Sequence, residues 1–135
     1  MKLLFVDTSG WISLVNKSDS FHQKATEIYH NKYSEGYRII TSYGILLETG
    51  NGLSNFRLRP MAVNLKRKLD NSPRIEQVEI DEELYQEGWK LYAERLDKDW
   101  GIVDCISFIV MERFGIAEAL TADKHFEQAG FIKLL

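Results

Sequence analysis

The chain has 135 residues, 44% of them hydrophobic and 27% charged, with a net charge of −3. That size suits one domain, residues 1–135, with a sizeable core, and the composition excludes a disordered or fibrous chain. No apolar run approaches the ~20 residues of a membrane span, and a lone cysteine, Cys105, excludes an intrachain disulfide framework and fits a reducing compartment.

Lys2–Val6 ("KLLFV") is a continuous apolar run, the pattern of a strand buried on both faces. Asp7 ends it too early for a signal-peptide core, so a cytoplasmic protein is expected. A helix follows, with Thr8 or Ser9 as N-cap. Phe21, Ala25 and Ile28 recur at helical spacing over Phe21–Glu35, and Gly36 is the expected stop. Tyr37–Ser42 ("YRIITS") reads as the second strand, and the next helix carries Glu48 and frays at Gly50 and Gly52. Pro60–Leu69 is a basic helix that starts at a proline. Asn71–Pro73 is a turn, and Arg74–Ile80 is a strand. Asp81 caps a helix with Leu84, Gly88, Leu91 and Tyr92 on one face. After a charged loop, Leu96–Gly101, the helix Val103–Phe114 is apolar on most sides, ends at Gly115 and belongs at the centre. "EALTAD" supplies a fourth strand and its exit, and "FIKLL" a short last one. Strands alternate with helices, which predicts a three-layer α/β fold with a mostly parallel sheet of four or five strands flanked by helices.

In open α/β sheets, sites form beyond the carboxyl ends of the strands. Asp7 follows the first strand and Asp123 the fourth, Glu48 lies on the helix leaving the second, and Asp104 opens the central helix. Asp104 sits in the apolar stretch "GIVDCISFIVM", where an uncompensated carboxylate is costly. Each acid has a plainer explanation: a turn or cap for Asp7 and Asp123, a solvated helix face for Glu48, a dipole-facing acid for Asp104. Together they suggest a shared site in which Mg²⁺ or Mn²⁺ offsets the repulsion. Hard oxygen donors without a Cys/His set suit phosphoryl transfer or phosphodiester hydrolysis.

"FVDTSGWISLV", the Glu48 helix and "DWGIVDCISFIVMERFGIAEALTADKHFEQAGF" resemble the PIN-domain ribonuclease family, in particular the VapC-type toxins of toxin–antitoxin pairs. The likeness is most specific over Leu96–Phe131 and weakest over Asn51–Val78. It implies a metal-dependent endoribonuclease whose acids correspond to Asp7, Glu48, Asp104 and Asp123. Thr121 matches a supporting hydroxyl of the family, and Thr8, beside Asp7, is a second accessory candidate. Gly101 departs from the pattern, because many relatives have Ser or Thr there as a helix cap. The resemblance further implies an RNA substrate, an inhibiting antitoxin and a homodimer. Trp11, Leu14 and Val15 are either part of an antitoxin interface or ordinary core.

In the implied mechanism Asp7, Asp104 and Asp123 hold the metal, one ion or two, and Glu48 completes the acidic shell and orients or deprotonates water. His125 either touches substrate or is a structural turn residue, and Cys105 is a small core residue. From Thr49 to Leu69 there is no acid, but Arg57, Arg59, Lys66, Arg67 and Lys68 form an RNA-binding patch or a solvated face. Phe56 stacks on a base or anchors its loop. Two rivals stand beside the nuclease: a catalytically silent RNA- or protein-binding module, and a phosphoryl-transfer enzyme of the receiver or haloacid type. "VDTSG" lacks the second Asp that a haloacid-type enzyme requires.

Overall fold

The computed structural model describes all residues, 1–135. Its elements in chain order are β1 (Leu3–Val6), α1 (Thr8–Val15), α2 (His22–Ser34), β2 (Arg38–Ser42), α3 (Tyr43–Gly52), α4 (Arg59–Asp70), β3 (Ile75–Val78), α5 (Glu82–Glu94), α6 (Ile102–Phe114), β4 (Glu118–Leu120), α7 (Lys124–Gln128) and β5 (Ile132–Lys133). The strands form one five-stranded sheet in the order β3-β2-β1-β4-β5, and every pairing is parallel. Phe5 pairs with Ile40 on one side and Ala119 on the other. β1 is therefore central, and all four of its residues are buried, which is why its sequence is continuously apolar rather than alternating.

The chain first runs outward from β1 through β2 to β3, then returns to the other side of β1 with β4 and β5. The switch of direction falls between β1 and β4, where open α/β sheets leave a crevice at their carboxyl ends. Asp7 and Asp123 stand at the ends of those two strands.

α6 is the central helix, with Cys105, Ile106, Ser107, Phe108, Val110 and Met111 buried. Gly115 ends it at φ 67°, a left-handed conformation that suits glycine. Phe108 packs edge-on against Trp100 at 4.9 Å and Phe126 at 5.0 Å, tying the entry loop of α6 to α7. Trp100 Nε1 also donates to Gln128 Oε1 at 3.0 Å. This cluster fixes the two helix starts that carry Asp104 and Asp123.

Most boundaries shift by one or two residues from those expected, as helix and strand ends do. Two differences have identifiable causes, at Asp7 and Tyr92, and Trp11 takes one of the two places open to it. Asp7, in extended conformation, occupies the N-cap position of α1, while Thr8 is already helical. Tyr92 leaves the buried face of α5 and meets Trp89 edge-on at 5.3 Å, 44% exposed. Trp11 is core at 2% exposure, and its Nε1 donates to Thr41 Oγ1 at 3.1 Å. Leu14 and Val15 pack partly buried against the same core. Asp81 caps α5 as expected, accepting from the Leu84 amide at 2.8 Å.

Candidate active site

Asp7, Glu48, Asp104 and Asp123 line a single cleft at the carboxyl end of the sheet. Asp19 and Asp99 also border it, and no lysine or arginine does. Asp19 has a local role, with Oδ1 accepting from the Phe21 amide at 2.9 Å and Ser13 Oγ at 3.2 Å. Asp99 makes no such bond and adds a charge at the rim.

Asp7 is the most buried of the acids, 5% exposed. Its Oδ2 accepts from Thr121 Oγ1 at 2.9 Å. Burial pushes its carboxyl up to about 7, against the downward pull of the Thr8 amide and Thr121, and the charges of Asp104 and Glu48 add to the rise. A group poised there is a mark of functional sites.

The Thr121 hydroxyl joins strand ends: it also accepts from the Asp123 amide at 3.0 Å and lies 3.1 Å from Ser9 Oγ. Ser9 Oγ in turn accepts from the Ala122 amide at 3.0 Å. Ser9 is therefore part of the site's frame rather than the helix cap expected for it. Its position two residues past the strand-ending acid was the available signal.

Glu48 reaches the rim from α3. Its Oε1 accepts from Thr8 Oγ1 at 2.7 Å, so Thr8 holds the one acid that comes from the far side of the cleft. Partial desolvation raises the Glu48 carboxyl, the Thr8 hydroxyl opposes this, and Asp104 and Asp123 add to the rise.

Asp104 Oδ2 accepts from the Gly101 amide at 3.0 Å. Half of a capping box thus survives without a cap side chain, which accommodates the departure at Gly101. Burial raises the Asp104 carboxyl, with the Gly101 amide and His125 opposing and Asp123 assisting. Asp123 caps α7, its Oδ1 accepting from the His125 amide at 2.9 Å. His125 is more than a turn residue: its Nδ1 lies 3.0 Å from Asp104 Oδ2 and 3.3 Å from Asp123 Oδ1. Cys105 faces the core, where burial pushes its thiol up to about 11.

The basic residues lie elsewhere. Arg59, Lys66 and Arg67 line a groove of about 1150 Å³ between α3 and α4, bordered by Leu47 and Thr49 on either side of Glu48 in sequence. Arg59 donates to the Ser54 carbonyl, Arg67 to Asn64 Oδ1, and Lys66 pairs with Asp70. Phe56 is 83% exposed, with the Arg57 guanidinium 5.9 Å from its ring centroid. Phe21, 37% exposed, is the one Phe, Tyr or Trp ring lining the acidic cleft.

The model of the PIN domain family matches residues 4–132, and the chain belongs to that family. It is 31% identical over 134 residues to the 23S rRNA-specific endonuclease VapC20 of Mycobacterium tuberculosis, covering 98% of both chains. The crystal structure of that VapC20, described as a sarcin–ricin loop cleaving toxin, superposes with a TM-score of 0.86 at 28% identity, over 96% of this chain and 97% of that one. The fold is also shared with VapBC2 of Rickettsia felis, solved bound to a DNA fragment from its promoter, with a TM-score of 0.67 at 15% identity over 98% and 97% of the two chains.

Proposed function

We propose that this protein is a divalent-metal-dependent endoribonuclease and the toxin of a toxin–antitoxin pair. The observation that carries the reading is the cleft itself: Asp7, Glu48, Asp104 and Asp123 converge there with no lysine or arginine to balance them. Membership of the PIN family and the likeness to VapC20 point the same way.

The donor set fits Mg²⁺ or Mn²⁺. It offers mainly hard carboxylate oxygens, and the buried, raised carboxyl of Asp7 has only a hydroxyl and an amide to stabilise its charge. Asp7, Asp104 and Asp123 would hold the cation, and Glu48 would complete the acidic shell. A bound divalent cation supplies charge neutralisation for the phosphate and a more acidic water. The residues do the rest. Thr121 and Ser9 keep Asp7 and Asp123 in register. Thr8 holds Glu48 where it can orient or deprotonate the attacking water. Phe21 presents an apolar face to a base beside the scissile phosphate.

RNA is assigned to the basic side, with Arg57, Arg59, Lys66, Arg67 and Lys68 neutralising backbone phosphates. The protein partners of this reading are an antitoxin and a second copy of the chain. On α5, Tyr85, Trp89 and Tyr92 form an exposed aromatic stripe beside Glu82, Glu83 and Glu87, a surface less suited to RNA than the basic side. No helix is long and apolar enough to cross a membrane, and we place the protein in the cytoplasm.

The test pairs thermal melting with cleavage. Mn²⁺ is expected to raise the melting temperature of the wild type but not of Asp104→Asn, and the metal-free variant is expected to melt higher than the wild type. A 23S rRNA fragment carrying the sarcin–ricin loop is the first substrate to try, cleaved by the wild type and spared by Asp7→Asn and Asp104→Asn. If Mn²⁺ has no effect and Asp104→Asn lowers the melting temperature, the acids are structural and the protein is a binding module.

A further inference from the structure

We propose that His125 is a nitrogen ligand of the divalent-cation centre and that it makes the centre favour Mn²⁺ over Mg²⁺. The inference rests on the reading of the acidic cleft as a metal site.

The geometry is specific to three of the cleft's groups. His125 Nδ1 lies 3.0 Å from Asp104 Oδ2 and 3.3 Å from Asp123 Oδ1. One donor atom from each of the three residues falls within a cluster no wider than 4.8 Å. Six-coordinate cations of this class have bonds of about 2.1 Å, which puts adjacent donors about 3.0 Å apart. The imidazole nitrogen therefore already stands near the ligand-edge distance from both carboxylates. All four acids accept one hydrogen bond from the frame: Asp104 from the Gly101 amide, Asp123 from the His125 amide, Asp7 from Thr121 and Glu48 from Thr8. Each keeps lone pairs for a cation, and only Asp104 and Asp123 have the imidazole beside them.

The ring is also held in place. The His125 amide donates to Asp123 Oδ1 at 2.9 Å, which fixes the first turn of α7. Phe126, the next residue, is fully buried against Phe108. The His125 side chain is only 19% exposed. A solvated surface histidine has many rotamers available, whereas this one is confined to the two acids that open α6 and α7.

A nitrogen donor changes which ion the centre prefers. Carboxylate and water ligands suit Mg²⁺ and Mn²⁺ alike, and imidazole favours first-row transition metals. An all-acid cleft would discriminate weakly between the two ions, and His125 tips it toward Mn²⁺. The competing role is that of a positioning residue, which hydrogen-bonds the carboxylates and never touches the ion.

Spectroscopy separates the two roles. Mn²⁺ binding to the whole protein is titrated by the loss of the free-ion EPR signal, and the bound ion is examined by pulsed EPR for ¹⁴N modulation. Mg²⁺ affinity is measured by competition. The wild type is expected to show ¹⁴N modulation. His125→Ala and His125→Gln are expected to lose it, to bind Mn²⁺ more weakly, and to bind Mg²⁺ with little change. Should the wild type bind Mn²⁺ in a manner abolished by Asp104→Asn, yet without ¹⁴N modulation, the metal site stands and His125 is not a ligand. Should no Mn²⁺ bind at all, the metal-site reading itself fails and this inference goes with it. A nitrogen bound to Mn²⁺ is told from one that only hydrogen-bonds its carboxylate ligands by its larger ¹⁴N coupling, so the wild-type spectrum decides the matter even if both His125 variants misfold.

Discussion

Thr121 Oγ1 donates a 2.9 Å hydrogen bond to Asp7 Oδ2, joining residues 114 positions apart in the chain. The same oxygen accepts from the Asp123 amide at 3.0 Å. One hydroxyl thus links the carboxyl ends of β1 and β4 and holds both of the acids that stand there. Thr121→Val removes both bonds, together with the 3.1 Å contact to Ser9 Oγ, while keeping the shape. It leaves a buried carboxylate without its side-chain donor, a loss of about 1–3 kcal/mol. The metal-free variant should melt below the wild type, and by more at pH 8, where Asp7 is charged, than at pH 5. Thr121→Ser should recover most of the difference. Equal melting of Thr121→Val and wild type at pH 8 would show that the hydroxyl contributes nothing.

The raised carboxyl of Asp7 determines the pH dependence of the metal-free protein. Burial is the chief cause, and the group titrates at about 7 instead of 3.8. Between those values the folded chain retains a proton that the unfolded chain has released. Stability therefore falls as pH rises through that window, and the loss is complete above it. The upward shifts of Glu48 and Asp104 act in the same direction. The metal-free protein should melt higher at pH 5 than at pH 8, and Asp7→Asn should flatten the profile. Mn²⁺, which needs the ionised carboxylates, should stabilise more at pH 8 than at pH 5. Melting curves with and without Mn²⁺ at the two pH values measure both effects.

The frame of the site was legible in the sequence for a physical reason. A strand buried on both faces must be apolar throughout, so Leu3–Val6 marks the central strand and the acid that ends it marks the crevice. Gly115 and Asp81 mark helix ends because each does something other residues do poorly: a left-handed turn and an amide cap. What stayed hidden depends on side-chain direction across long sequence separations. Ser9 has the composition of a helix cap, but the approach of α1 to β4 turns its hydroxyl toward Thr121 and Ala122. His125 has the composition of a turn residue, and only the packing of α7 on α6 brings its ring to Asp104. Trp11 suits an interface as well as a core until the Thr41 hydroxyl is seen to satisfy its indole.

The basic side of the molecule makes a prediction about salt. On single-stranded nucleic acid each neutralised phosphate adds about 0.7 to the slope of log affinity against log salt. Replacing Arg57 or Lys68 with Gln removes a charge that makes no ion pair within the chain, so each should reduce the slope by about that amount. Lys66 is paired with Asp70, and Lys66→Gln should have a smaller effect. RNA binding by fluorescence anisotropy, without divalent metal and across a salt series, gives the slopes. Slopes unchanged in all three variants would place the RNA elsewhere.

Two glycines separate damage to the fold from damage to the site. A Cβ on Gly10 would lie 2.2 Å from the Leu120 carbonyl oxygen and 3.0 Å from Val6 Cγ1. That carbonyl belongs to backbone and already accepts from the Asp7 amide at 3.2 Å, so it cannot retreat without opening the junction of β1, β4 and α1. A Cβ on Gly88 would lie 2.5 Å from Ile106 Cγ1, which is part of a side chain, and the remedy is a local repacking of α5 on α6. Gly88→Ala should cost about 1–3 kcal/mol by overpacking, reduced by the ~1 kcal/mol that alanine gains over glycine within a helix. Its Mn²⁺ affinity should be unchanged, because α5 carries none of the four acids. Gly10→Ala should cost more, and whatever folded protein remains should bind Mn²⁺ poorly, since moving α1 carries Asp7 away from Thr121 and Asp123. Melting temperature and Mn²⁺ titration on both variants decide it. A Gly10→Ala protein that melts and binds metal like the wild type would mean that α1 can leave β4 without disturbing the site.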